Sequence, residues 1–195
     1  MAIVKIVHGD LISLAKQGAF DIIGHGCNTM NLMGAGIAKS IAEAFPIALK
    51  ADAKAHEAYC DPMCKHKPVP QLLGKVCSGY DRQHNLQIAN MYTQVLTGRD
   101  ARYEALRQTL KVLHNICRRE DYRSVGLPLI GCGIGGLDEN AVLALINAVL
   151  VRPNVYIIVH PESHPCLDNF QVKIHKPAYK NKIMEEYEYD SKQVG

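Results

Sequence analysis

The segment Val125-Gly126-Leu127-Pro128-Leu129-Ile130-Gly131-Cys132-Gly133-Ile134-Gly135-Gly136 joins a nearly continuous apolar run to a glycine-rich turn. Runs of that kind read as strands covered on both faces of a sheet. The turn then opens into Val142, Leu145, Ile146 and Val149, a helical stripe that stops ahead of Pro153. Strand, glycine turn and helix start together make an anion-binding unit, because the first amides of a helix lack internal partners.

Gly131, Gly133 and Gly136 formally match the G-x-G-x-x-G pattern of dinucleotide-binding folds. That pattern belongs near the first strand, with an acidic residue about 20 positions later. Here it comes late, and the corresponding region, Val155–Val159, holds no acid. A second loop, Met33-Gly34-Ala35-Gly36-Ile37-Ala38-Lys39-Ser40, also stands at a helix start. Its Lys-Ser pair resembles a P-loop, but that loop needs glycine where Met33 and Ala38 stand. What survives is a pair of glycine loops able to grip both halves of a diphosphate.

Working outward, Ile3–Val7, Asp21–Ile23, Val125–Ile130 and Val155–Val159 are expected strands. Leu73–Tyr80 and Leu86–Tyr92 form an expected strand pair around a turn at 81–85. Tyr103, Leu106, Leu110, Leu113 and Cys117 recur at helical spacing, as do Ile37, Ile41 and Phe45 ahead of Pro46. The alternation predicts a three-layer α/β/α sandwich with a mixed central sheet and mainly parallel inner strands.

With 195 residues, the chain has room for one core and a short appendage. Residues 1–160 are the expected domain, and 161–195 a partly ordered C-terminal extension. The extension carries Lys173, Lys176, Lys180 and Lys182, followed by Glu185, Glu186, Glu188 and Asp190. A net charge of +3 suits an anionic small ligand and is too small to argue for nucleic acid. No apolar run approaches the roughly 18–20 residues of a membrane span, and the N-terminus lacks a secretory signal. Seven cysteines, an odd number, read as reduced thiols in a cytoplasmic protein. His56, Cys60, Cys64 and His66 have no standard structural-zinc spacing, so neither metal nor cofactor is expected.

Four segments in order carry a family resemblance: His8-Gly9-Asp10-Leu11, Gly24-His25-Gly26-Cys27-Asn28, Met33 to Ala38, and Leu127 to Gly136. Asn90-Met91-Tyr92-Thr93-Gln94 adds a fifth. Together they resemble the macrodomain family, and within it the ADP-ribose 1″-phosphate phosphatases, including short phage-encoded versions, which would place the protein in a host cytoplasm. The resemblance covers about residues 2–160. It implies that Asp10 accepts a hydrogen bond from the adenine amino group, with the Leu11 amide nearby. It implies that Asn28 binds the distal ribose and that Gly34, Ala35, Gly36 and Ile37 wrap that ribose and its phosphate. Gly131, Cys132, Gly133, Ile134 and Gly135 would cradle the diphosphate, and His25 with Asp138 would form the catalytic pair.

Each role stands beside a plainer one. Asp10 and Asp138 are also positioned as helix N-caps, His25 as a core histidine and Asn28 as a turn residue. Glu139 stands where the phosphatase-like sequences carry an aromatic residue, and Gly135 where a related glutamate-ADP-ribose hydrolase branch carries an aspartate. The expected activity is phosphate removal from ADP-ribose 1″-phosphate. Hydrolysis of ADP-ribosyl or O-acyl-ADP-ribose esters, and non-catalytic ADP-ribose reading, are the alternatives.

Overall fold

A computed structural model describes residues 4–60 and 66–160; the expected C-terminal extension lies outside them. The chain opens with strand β1 (Val4–His8) and helix α1 (Leu11–Lys16). Asp10 caps α1, its Oδ1 accepting from the Ser13 amide at 2.7 Å. Strand β2 (Ile22–Asn28) follows, longer than the expected Asp21–Ile23 and carried through Gly24, His25, Gly26 and Cys27.

Helix α2 (Gly36–Ala44) gives way at once to α3 (Pro46–Glu57). Pro46 therefore does more than stop α2. Its fixed φ and missing N–H suit the first position of a helix. A 3-10 turn at Pro70–Leu72 leads into β3 (Val76–Asp81) and β4 (Leu86–Gln94), the expected antiparallel pair. Helix α4 (Tyr103–Arg119), β5 (Ser124–Leu127), α5 (Glu139–Val149) and β6 (Asn154–Val159) complete the described chain. Strand β5 ends at Leu127, short of the expected Ile130, because Pro128 has no amide to continue a ladder.

The sheet has six strands in the order β1-β6-β5-β2-β4-β3, all neighbours parallel except β3 with β4. One face packs on α4 and α5 through Leu106, Leu110, Leu113, Val142 and Ile146. The other packs on α1, α2 and α3 through Leu11, Ala15, Ile41 and Ala48. Glycines admit this packing where strands meet large side chains: a Cβ on Gly126 would stand 2.7 Å from the Phe20 ring. Among the described residues, no helix is long and apolar enough to cross a membrane.

Strands β2 and β5 pair only at Ile22–Val125 and Ile23–Gly126. Beyond that point the chain leaves β2 for α2 on one face and leaves β5 for α5 on the other. A parallel sheet whose connections diverge in this way opens a crevice at the carboxyl ends of its strands.

Candidate functional site

The crevice is a cleft of about 820 Å3, within the range of small-ligand sites. Gly9, Asp10 and Leu11 line it after β1, with Ile158, Val159 and His160 at the end of β6. Residues 128–135 line it after β5. The ends of β2 and β4 contribute Gly26, Cys27, Asn28, Thr93 and Gln94, and α2 contributes its first turn from Gly34 to Ala38. Both glycine loops thus face one cavity.

Their amides are the chemically distinctive feature. Those of Gly36, Ile37 and Ala38 at the start of α2 donate to no other described residue. The same holds for Gly133, Ile134 and Gly135. Helix α2 follows Ala35, which supplies no side-chain cap, and carries no acid in its first turn. Its positive end is therefore open to an anion. A Cβ added at Gly34 or Gly133 would meet nothing within 4 Å, so the cleft reaches the backbone itself.

The other expected site residues divide. Asp10 lines the cleft and also caps α1. Asn28 lines it, but its side chain ties its own loop: Nδ2 donates to the Leu32 carbonyl at 2.7 Å and Oδ1 accepts from the Met30 amide at 2.9 Å. Cys132 lines it, with burial first and then the charges of Glu139 and Asp138 pushing its thiol up to about 11.

The structure does not bring His25 and Asp138 into the cleft. Along β2, side chains alternate between faces. Cβ atoms on Gly24 and Gly26 would point at Met91, Leu127, Thr93 and Ile130, on the α4–α5 side. His25 points the opposite way, under α3, and is 0% exposed. Its Nε2 meets Asn90 Oδ1 at 2.8 Å, while Asn90 Nδ2 donates to the Ala48 carbonyl of α3. Burial lowers the His25 pKa to about 4, against the raising effect of Asn90, so the imidazole is neutral near pH 7. Asp138 is exposed and spends Oδ1 on the Ala141 amide as the α5 cap, while its own N–H donates to the Tyr103 hydroxyl.

The same buried layer holds Asp52, whose Oδ1 accepts from the Tyr92 hydroxyl at 2.7 Å, and whose carboxyl is pushed up by burial. His56 gives its Nε2 to the Lys67 carbonyl at 2.8 Å. Cys64 lies outside the described residues. Of the cleft lining, Thr93 and Gln94 fall in the quoted β4 motif, but sequence reasoning assigned no role to Gly26, Thr97, Gly98, Glu139 or His160.

The Macro domain family model matches residues 25–146. A protein of Enterobacteria phage T4, the uncharacterized 17.5 kDa protein of the tk-vs intergenic region, is 33% identical over 158 residues, 80% of this chain and 96% of that one. Among solved structures, the macrodomain of Thermus aquaticus DarG superposes with a TM-score of 0.66 at 23% identity, covering 82% of this chain and 99% of that one. A macrodomain protein from Streptomyces coelicolor gives 0.63 at 25% identity, covering 80% and 99%. Thermosipho africanus DarTG, solved in complex with ADP-ribose, gives 0.66 at 19% identity, covering 83% of this chain and 43% of that one.

Proposed function

The chain belongs to the macro domain family, and from that premise we propose that its cleft binds ADP-ribose. The observation that carries the reading is the two sets of unpartnered amides, Gly36–Ala38 and Gly133–Gly135, facing one cavity. A diphosphate is the ligand group that such a backbone cradle suits, since several oxygens can each take an N–H. The order of the strands supports the orientation. From β1 to β2 is three strand spacings, about 14 Å, enough to separate an adenine at Asp10 from a distal ribose at Asn28. The β5 loop, with its free amides, lies between them.

Calorimetry with ADP-ribose tests this, with Gly133→Val as the informative variant. A Cβ at this position would meet no atom within 4 Å. We expect wild-type binding, and loss of at least about 30-fold in affinity in the variant, roughly 2 kcal/mol. Its melting temperature should stay within about 2 °C. A variant that binds as well as the wild type, or a wild type that does not bind, refutes the reading.

Phosphate release from ADP-ribose 1″-phosphate is the finer activity we attach to this cleft. Its support is the same amides, which would hold transferring phosphoryl oxygens. In this scheme His25, buried under α3, and Asp138, the α5 cap, stand outside the cleft lining. Proton transfer falls to a group that lines the cleft. Phosphate-release assays on the 1″-phosphate and ADP-ribose release from an O-acyl ester separate turnover from simple capture.

A further inference from the structure

One hydroxyl at the cleft has no partner in the chain. Among the described residues, four buried side-chain atoms make no hydrogen bond: Asp21 Oδ1, Asn31 Oδ1, Thr93 Oγ1 and His114 Nδ1. Of these four residues, Thr93 alone lines the cleft. It is 0% exposed, and a buried hydroxyl left unpaired is costly to keep. The strand ladder breaks at the same residue. Cys27 of β2 faces Tyr92 and Asn28 faces Gln94, so Thr93 is the extra residue of a β-bulge. A bulge re-aims a side chain, and this one does so beside the cleft. Gly26, another cleft residue, lies against it: a Cβ there would stand 2.9 Å from Thr93 Oγ1 and 3.0 Å from Ile130 Cγ2. With glycine at 26, no side chain crowds the hydroxyl from β2.

We propose that the Thr93 hydroxyl hydrogen-bonds a hydroxyl of the ligand's distal ribose, and so favours ADP-ribose over ligands that end at the diphosphate. The proposal deepens the ADP-ribose reading above and rests on it. The two groups match in chemistry. Amides of the glycine loops only donate and suit phosphate oxygens, whereas a threonine hydroxyl both donates and accepts, as a sugar hydroxyl does. They match in place as well. Strand β4 lies beyond β2 as counted from β1, so Thr93 stands at the end of the cleft remote from Asp10. Asn28, to which the resemblance gives the distal ribose, already spends Oδ1 on the Met30 amide and Nδ2 on the Leu32 carbonyl. Thr93, beside it across the bulge, has no such commitment. Because Oγ1 is buried, a sugar reaches it only by seating closely against Gly26 and Ile130, both of which line the cleft.

The test is calorimetry on the full chain with ADP-ribose and with ADP, which keeps the adenine and the diphosphate and lacks the distal ribose. The ratio of the two dissociation constants is the readout, so a general weakening by a variant cancels. Thr93→Val replaces the hydroxyl by a methyl of similar size. It should weaken ADP-ribose about fivefold, the worth of one neutral hydrogen bond, and leave ADP within about twofold. Thr93→Ser keeps the hydroxyl and should keep the wild-type ratio. Urea unfolding supplies the control: the Thr93→Val midpoint should not fall, because a buried hydroxyl without a partner is removed. A Thr93→Val protein with the wild-type ratio overturns the proposal, whatever its stability. So does a wild type that binds ADP as tightly as ADP-ribose. Absence of ADP-ribose binding by the wild type overturns the parent reading as well, and is distinguished by that first titration.

Discussion

His25 offers the sharpest quantitative prediction. Its imidazole is fully buried on the α3 side of β2, with its pKa lowered from 6.5 to about 4 by desolvation. The unfolded chain therefore binds a proton that the folded chain refuses between those values. Stability rises with pH wherever the unfolded state holds more protons. The contribution is fully present above pH 6.5 and is lost progressively as the pH falls towards 4. Each pH unit inside that window costs up to about 1.4 kcal/mol, so the loss between pH 7.5 and 4.5 is about 2.5 kcal/mol. His25→Gln removes the titration while keeping a hydrogen-bonding group opposite Asn90. Asp52 acts in the opposite direction, since burial raises its carboxyl and acid relieves that cost. It is common to both proteins and cancels in the comparison. Urea unfolding followed by circular dichroism at both pH values is the assay. With a slope of about 2 kcal/mol per molar, the wild-type midpoint should drop about 1 M more than the variant's. Equal pH dependence in the two proteins would refute the buried neutral imidazole. A variant that loses more than about tenfold in ADP-ribose affinity at pH 7.5 would return His25 to the site.

Asp10→Asn should separate capping from recognition. Asparagine caps as well as aspartate, so stability in urea should change by less than about 0.5 kcal/mol. ADP-ribose affinity should fall about tenfold if the carboxylate accepts from the adenine amino group, and an unchanged affinity would leave Asp10 as a cap alone. Gly126→Ala sets a Cβ against Phe20 and should cost about 1–3 kcal/mol in urea unfolding; wild-type stability would show that the ring can move aside.

The parts of the fold that were legible are those whose signal is local. The α4 stripe is visible at spacings of three and four, and Leu106, Leu110, Leu113 and Cys117 are all buried. Tyr103 shares that spacing but is 43% exposed, its hydroxyl taken by the Asp138 amide 35 residues away. Helix α3 gave no apolar stripe because its buried line is Ala48, Asp52 and His56. Two of those three are polar, and they are tolerated inside because Tyr92 and Lys67 supply partners from elsewhere in the chain. A pattern of apolar spacing cannot register a helix whose inner face is satisfied by distant hydrogen bonds.

Sequence alone determined the alternation of strands and helices, the caps at Asp10 and Asp138, and two glycine loops at helix starts. These depend on backbone freedom and on neighbours within one or two turns. Only the tertiary structure decided which side of β2 each residue faces. Strand parity sets His25 apart from Gly24 and Gly26, but the layers packed on each face are set by chain from 20 to more than 100 residues away. That packing sends His25 into the core beside Asn90. It leaves the bare amides of α2 and the β5–α5 loop, with Glu139 among them, to line the cleft.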